Sequence, residues 1–202
     1  SYSTHLFTTS LNDSLGIVHS MDNDLEIRLL PTKWNSDHLK IRNAEEKDLP
    51  ELRKIYEECS YIEKLIGYSD DEEDSILAAL RGELLPPNGK KELQRLQAIL
   101  ELSSGNMVGY LELYHGYPDD ETFWIAQLSI RPAFQRQKLG QEVIGSLIEK
   151  VKELGSYSKM GIGVGVGNEP AMKFWAACGF TDVIKTEDHG THANLWIIQN
   201  LY

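Results

Sequence analysis

Between Arg131 and Ile144 the chain reads RPAFQRQKLGQEVI, directly after the apolar stretch IAQLSI. A strand that passes through a tight bend into a helix leaves the first backbone N–H groups of that helix without intrahelical partners. The aligned peptide dipoles add about half a positive charge at the same end. Such a bend binds anions, and phosphate most naturally. Gln135, Arg136 and Lys138 place side-chain donors and positive charge around it. The competing explanation is an ordinary strand-to-helix connection with solvated cations.

Other residues with chemical potential are scattered. Removing a proton from an amine needs a base within hydrogen-bond reach. His115 in YHGYP, Glu121 at the head of the strand feeding the bend, and Glu112 are the candidates, each weighed against a plain surface role. His189 and His192 form an HxxH pair without an evident third ligand, so no metal is expected. GIGVGVG sets Gly161, Gly163, Gly165 and Gly167 on one face of a strand. That bare face suits close approach by a ligand or, the favoured reading, by a helix. Two familiar phosphate motifs are absent. The Gly89-Lys90 pair has no glycine at the Walker A spacing and is followed by Lys91, and GIGVGVGN offers Val166, Asn168 or Pro170 where a dinucleotide fingerprint needs its third glycine.

The elements that must position these residues are legible from periodicity. The chain has 202 residues, 41% hydrophobic and 25% charged, which suits one folded domain. A net charge of −11 argues against a nucleic-acid partner, which calls for a basic face. Two cysteines, Cys59 and Cys178, make no disulfide framework. No apolar run approaches the roughly 20 residues of a membrane span. A cytoplasmic location and no membrane partner are therefore expected. Residues 1–38 read as a partly ordered extension, in which LEIRLLPTKW is a docking strand stopped by Pro31. From Leu39, LKIR is a strand and DLPELRKIYEEC a helix, with Asp48 as cap and Glu51 completing a capping box. A second helix is expected over residues 69–84, with the acidic run DDEED in its first turn. PPNG is a turn, and LQAILEL, MVGYLELY and TFWIAQLSI are three strands. Leu139, Val143, Ile144, Leu147, Ile148, Val151 and Leu154 recur at helical spacing up to Gly155. KMGIGVGV is a strand, and NEPAMKFWAACGF a short helix with Pro170 near its start and Gly179 past its end. TDVIKT and NLWIIQNLY close the chain as strands, the last apolar enough to be an edge that pairs with a second copy.

This order of elements, with Gln135-Arg136-Gln137-Lys138-Leu139-Gly140 opening the long helix, resembles the GNAT superfamily of N-acetyltransferases. NEPAMKFWAACGF is similar to that family's second signature and LKIRNAEEKDLPEL to its first strand and helix, so the resemblance covers residues 39–202. LPPNGKKE, YHGYP and FWAACGF resemble a bacterial subgroup of unidentified substrate. The resemblance implies an α/β fold with a mixed, mostly antiparallel central sheet flanked by helices and with strands splayed at the cofactor site. It implies acetyl-CoA as co-substrate, without a metal, and transfer of the acetyl group to the amine of a small molecule or peptide. The bend from Gln135 to Gln141, with Arg136, Gln137, Lys138, Leu139 and Gly140, would hold the diphosphate of coenzyme A. Leu128, Ser129 and Ile130 would hold the pantetheine arm through main-chain hydrogen bonds, as an added strand does. Asn168 and Trp175 would line the far side of the gap. Two positions depart from the pattern. Lys138 stands at the usual first glycine, where a Cβ demands a strained backbone. Trp175 stands where many members carry a tyrosine that protonates the leaving thiolate, and an indole N–H is a donor but no useful acid. Those departures support an alternative, a non-catalytic acyl-CoA sensor or protein-interaction domain. An ATP-binding protein using the same bend is a third and weaker reading.

Overall fold

Strands rich in branched and aromatic side chains form the middle of the protein, and helices cover both of their faces. The computed structural model describes residues 2–3, 28–65, 74–190 and 192–202. Eight strands make one open sheet: β2 (Lys33–Asn35), β3 (Leu39–Asn43), β4 (Gln94–Glu101), β5 (Met107–His115), β6 (Thr122–Ile130), β7 (Lys159–Gly165), β8 (Asp182–Asp188) and β9 (Ala193–Asn200). Their spatial order is β2-β3-β4-β5-β6-β7-β9-β8. A two-residue strand, β1 (Tyr2–Ser3), pairs antiparallel with β6. Among the described residues β6–β7 is the parallel pair and the other pairs are antiparallel. β5 and β6 are buried along their whole length, as central strands covered on both sides must be.

On one face lie α1 (Leu49–Leu65) and α2 (Ser75–Arg81), whose Leu52, Ile55, Ile76 and Ala79 pack on Leu96, Ala98 and Tyr110. On the other lie α3 (Leu139–Leu154) and α4 (Glu169–Ala177), packed through Val143, Ile144, Leu147, Ala171 and Trp175 against Ile99, Leu111, Phe123 and Ile125. The periodic run expected to be the long helix is α3 to the residue, and Gly155 ends it at φ 68°.

Several local expectations need correction. Residues 25–27 of the expected N-terminal strand lie outside the described residues, residues 28–30 carry no strand, and β2 begins after Pro31, at Lys33. Trp34 anchors it, being buried in the main core with Nε1 donating to Ser146 Oγ at 3.1 Å. Residues 30–38 therefore belong to the folded body, and Ser36 and His38 hold Glu142 of α3. The capping box lies one turn earlier than expected: Glu45 is the cap of a 3-10 turn and Asp48 its partner, accepting from the Glu45 N–H at 2.8 Å. Asp48 also binds Arg42 through two contacts of 2.6 and 2.8 Å, which holds its carboxyl below the usual range. The second helix is shorter than expected, running Ser75–Arg81 with Asp74 as its cap. The rest of the acidic run, residues 70–73, lies outside the described residues. The final strand is not an edge. β9 sits between β7 and β8, and β8 is the edge, with Val183 and Ile184 about half exposed.

Candidate functional site

The parallel pairing of β6 with β7 runs from Thr122↔Lys159 to Ile125↔Ile162 and stops there. β7 continues to Gly165 along β9, while β6 continues to Ile130 along β5, so a gap opens between them. A bulge starts the divergence. Glu112 faces Gln127 and Leu113 faces Ile125, which leaves Ala126 as the extra residue. An extra residue bends a strand and increases its local twist.

Beyond the bulge the main chain of β6 has two distinct edges. The Arg131 N–H donates to the Val108 carbonyl at 2.8 Å. By the two-residue alternation of an antiparallel ladder, Gln127 and Ser129 then bond toward β5, and Leu128 and Ile130 face the gap. The Ile130 carbonyl already accepts from Gln135 Nε2 at 2.9 Å and from Cys59 Sγ at 3.4 Å. Of the three residues expected to hold a pantetheine arm, Leu128 turns its main chain to the gap, where it stands opposite Tyr2. Ser129 turns its main chain away, and its fully buried Oγ accepts from Gln127 Nε2 at 2.9 Å.

At the end of β6 comes the bend. A 3-10 turn (Pro132–Phe134) leads to Arg136 at φ 68° and Lys138 at φ 59°, and α3 starts at Leu139. Left-handed residues placed this closely turn neighbouring N–H groups into one concavity, which then adjoins the orphan donors of α3. Lys138 thus occupies the backbone conformation that favours glycine, and so does Arg136, whose residue type carries no sign of it. Ile130, Gln135, Arg136, Lys138, Leu139, Gly140 and Gln141 line a depression of ≈ 150 Å³ together with Phe134 and Phe174. That is below the roughly 300–1,000 Å³ of a pocket for a drug-sized ligand, so it suits one charged part of a longer molecule. Gln137 is exposed and is not part of the lining. Gly140 has a packing reason as well, since a Cβ there would lie 3.0 Å from the Phe174 ring.

Across the gap, Asn168 caps α4, its Oδ1 accepting from the Ala171 N–H at 3.2 Å. Trp175 is fully buried, in edge contact with Phe174 and Phe180. Its Nε1 has no hydrogen-bond partner among the described residues, and a buried donor left unpaired costs free energy.

Two of the three residues put forward as base, Glu121 and His115, are placed elsewhere. Glu121 is exposed just before β6, holding Ser158 Oγ at 3.3 Å. It lies five residues, about 16 Å along an extended strand, from the bulge. His115 is 1% exposed at the far end of β5. Its Nε2 accepts from the Leu30 N–H at 3.1 Å, so Nδ1 carries the proton given to the Leu93 carbonyl at 2.7 Å. Burial pushes its pKa down to about 4. It is a tether, and the turn-like YHGYP around it hid that. What the gap does meet on the α1 side is a buried polar row of Tyr110, Glu112, Gln127 and Ser129. Burial, and then the charge of Glu112, raise the Tyr110 phenol well above its ordinary range. Polar residues at i and i+2 in two strands otherwise apolar, YLE and QLS, were the available signal.

The glycine face also reads differently. A Cβ on Gly161 would come 2.7 Å from the Trp124 indole, so this glycine admits an aromatic ring of the next strand, not a helix. Trp124 in turn lies 5.2 Å from Trp196, centre to centre, and Lys185 Nζ sits 4.3 Å above Trp196. His189 and His192 stack at a hairpin turn, and no group of three or more metal-ligating side chains is found among the described residues. No helix among them is long and apolar enough to cross a membrane.

Comparison with known proteins adds a family to this geometry. The profile of the Acetyltransferase (GNAT) family matches residues 43–180. No curated protein matches the chain. Among solved structures, a GNAT-family acetyltransferase from Chromobacterium violaceum superposes with a TM-score of 0.67 at 15% identity, covering 93% of this chain and 98% of that one. An acetyltransferase from Thermus thermophilus gives 0.62 at 22% identity over 81% and 97%. One from Salmonella typhimurium, solved with its cofactor acetyl-CoA, gives 0.59 at 19% identity over 82% and 95%.

Proposed function

The chain belongs to the GNAT acetyltransferase family, and we propose that it transfers the acetyl group of acetyl-CoA to a primary amine. One observation carries the assignment of parts: the gap between β6 and β7 opens at Ile125 and leads along the gap-facing edge of Leu128 to the left-handed bend at Arg136 and Lys138. The residues present fit the co-substrate. The N–H groups of the bend suit a diphosphate, and the side chains of Arg136 and Lys138 neutralise its charge. Leu128 offers a main-chain donor and acceptor to an amide-bearing arm, and the buried Trp175 N–H, without a partner among the described residues, is a further donor in the core beside α4.

Acetyl-CoA supplies an activated thioester carbonyl. This chain's contribution is to hold that carbonyl against main-chain N–H groups near Leu128, which favours the charge developing on its oxygen. Fixing both substrates in the gap supplies much of the acceleration. The acceptor attacks as the free amine, forming the amide C–N bond as the C–S bond breaks. Its surplus proton leaves to water or to Glu112, the buried carboxylate beside the bulge. The thiolate departs against the Trp175 N–H, which stabilises it without donating the proton outright. Release of free coenzyme A in the presence of a panel of amines tests this directly. Turnover with at least one amine is expected, and no binding of acetyl-CoA by calorimetry at millimolar concentration would remove the proposal.

The second reading, a sensor that binds acyl-CoA without consuming it, rests on Trp175 and Lys138. Binding with no coenzyme A release from any amine would favour it. The edge strand β8, carrying exposed Val183 and Ile184, is where a second copy of the chain would pair, and gel filtration at several concentrations measures that.

A further inference from the structure

The edge of β6 that faces the gap is not bare. Tyr2 stands opposite Leu128 and Ser3 opposite Gln127, in an antiparallel register. The α carbons of β1 also come within 8 Å of α4, which puts this short strand inside the gap between the two elements that wall it. Leu128 is the residue whose main chain faces that way, so in this register Tyr2 and Leu128 exchange N–H···O bonds. Ser3 faces Gln127, which bonds toward β5, and makes no such exchange. The gap therefore accepts an extended peptide main chain, and its occupant is this chain's own N-terminal segment.

We propose that residues 2–3 compete with the acyl-CoA arm for the Leu128 edge, so that the protein regulates its own access to co-substrate. This rests on the acyl-CoA reading given above. A hydrogen-bonded edge position can serve one partner at a time. An amide-bearing arm laid along β6 needs the donor and acceptor that Tyr2 occupies. The site is competent only in the fraction of molecules whose N-terminal strand has left, and apparent affinity falls by that fraction. Two main-chain hydrogen bonds of ordinary net strength set the fraction at about one in thirty.

The test uses the whole chain and the substitution Tyr2→Pro, which removes the N–H that pairs with Leu128 and keeps the carbonyl. Calorimetry with acetyl-CoA should show about fivefold tighter binding to the variant, the factor for the one hydrogen bond that proline removes. In turnover, KM should fall by the same factor with kcat unchanged. Hydrogen exchange at the Leu128 amide, in the absence of any ligand, should be faster in the variant. Equal affinity of the two chains, or equal exchange at Leu128, overturns the competition while leaving the acyl-CoA assignment standing. If neither chain binds acetyl-CoA, the functional reading fails and the competition fails with it.

Discussion

At Lys138 the backbone φ is 59°, a region where a side chain with a Cβ costs about 1 kcal/mol relative to glycine. Lys138→Gly is therefore expected to stabilise the fold by about 1 kcal/mol, read from urea unfolding, and to weaken acetyl-CoA binding through loss of the ammonium. Lys138→Ala should weaken binding without the gain in stability. The departure was visible in the sequence as a lysine where a glycine belongs, but the same strain at Arg136 was not, because nothing in the residue types marks a second left-handed position. His115 supplies a second residue-scale expectation. Its folded pKa of about 4 lies below its ordinary 6.5, so the unfolded chain binds more protons between those values. Its contribution is whole above pH 6.5 and is lost as pH falls toward 4, by about 3 kcal/mol. His115→Gln should flatten that part of the pH–stability curve, at the cost of the contact to Leu30.

Between elements, one side chain ties the site to the helix above it. Arg131 leaves β6 and grips Glu58 of α1 through Nε at 2.9 Å and Nη2 at 2.7 Å, with Glu51 as a further partner of Nη1. The paired carboxylates raise its pKa further above the ordinary range, and Glu58 is correspondingly lowered. Arg131→Ala should cost about 2 kcal/mol in thermal or urea unfolding, and Arg131→Lys nearly as much, because an ammonium cannot span both oxygens of Glu58. In the sheet, Gly161→Ala would push a Cβ into Trp124 at 2.7 Å and should cost about 2 kcal/mol. Elements with a single strong period, α3 above all, were readable to their ends. Those whose boundaries depend on distant partners were not. β2 begins where it does because Trp34 finds Ser146 on α3, and the capping box shifts because Arg42 claims Asp48. The edge is β8, since the apolar face of β9 is shared between two neighbours.

Taken as one molecule, the protein is an open sheet pried apart at one place, and its candidate chemistry sits at that place. The strand–bend–helix itself was legible because its signal is local: strand, cations, one glycine, helix. The buried polar row was legible only at Glu112, because Tyr110, Glu112 and Gln127 meet only when β5 and β6 pair, and a residue such as His115 looks reactive until the fold closes over it. The occupancy of the gap by Tyr2 and Ser3 was beyond any local pattern, since it joins residues more than a hundred positions apart. The central claim is that the N–H groups from Arg136 to Gln141 grip a diphosphate while the thioester arm follows Leu128 into the gap. A crystal soaked with acetyl-CoA tests it most directly. The account predicts phosphate oxygens within hydrogen-bond distance of those N–H groups, with the arm along β6. Density for the ligand elsewhere, with the bend vacant, would contradict it.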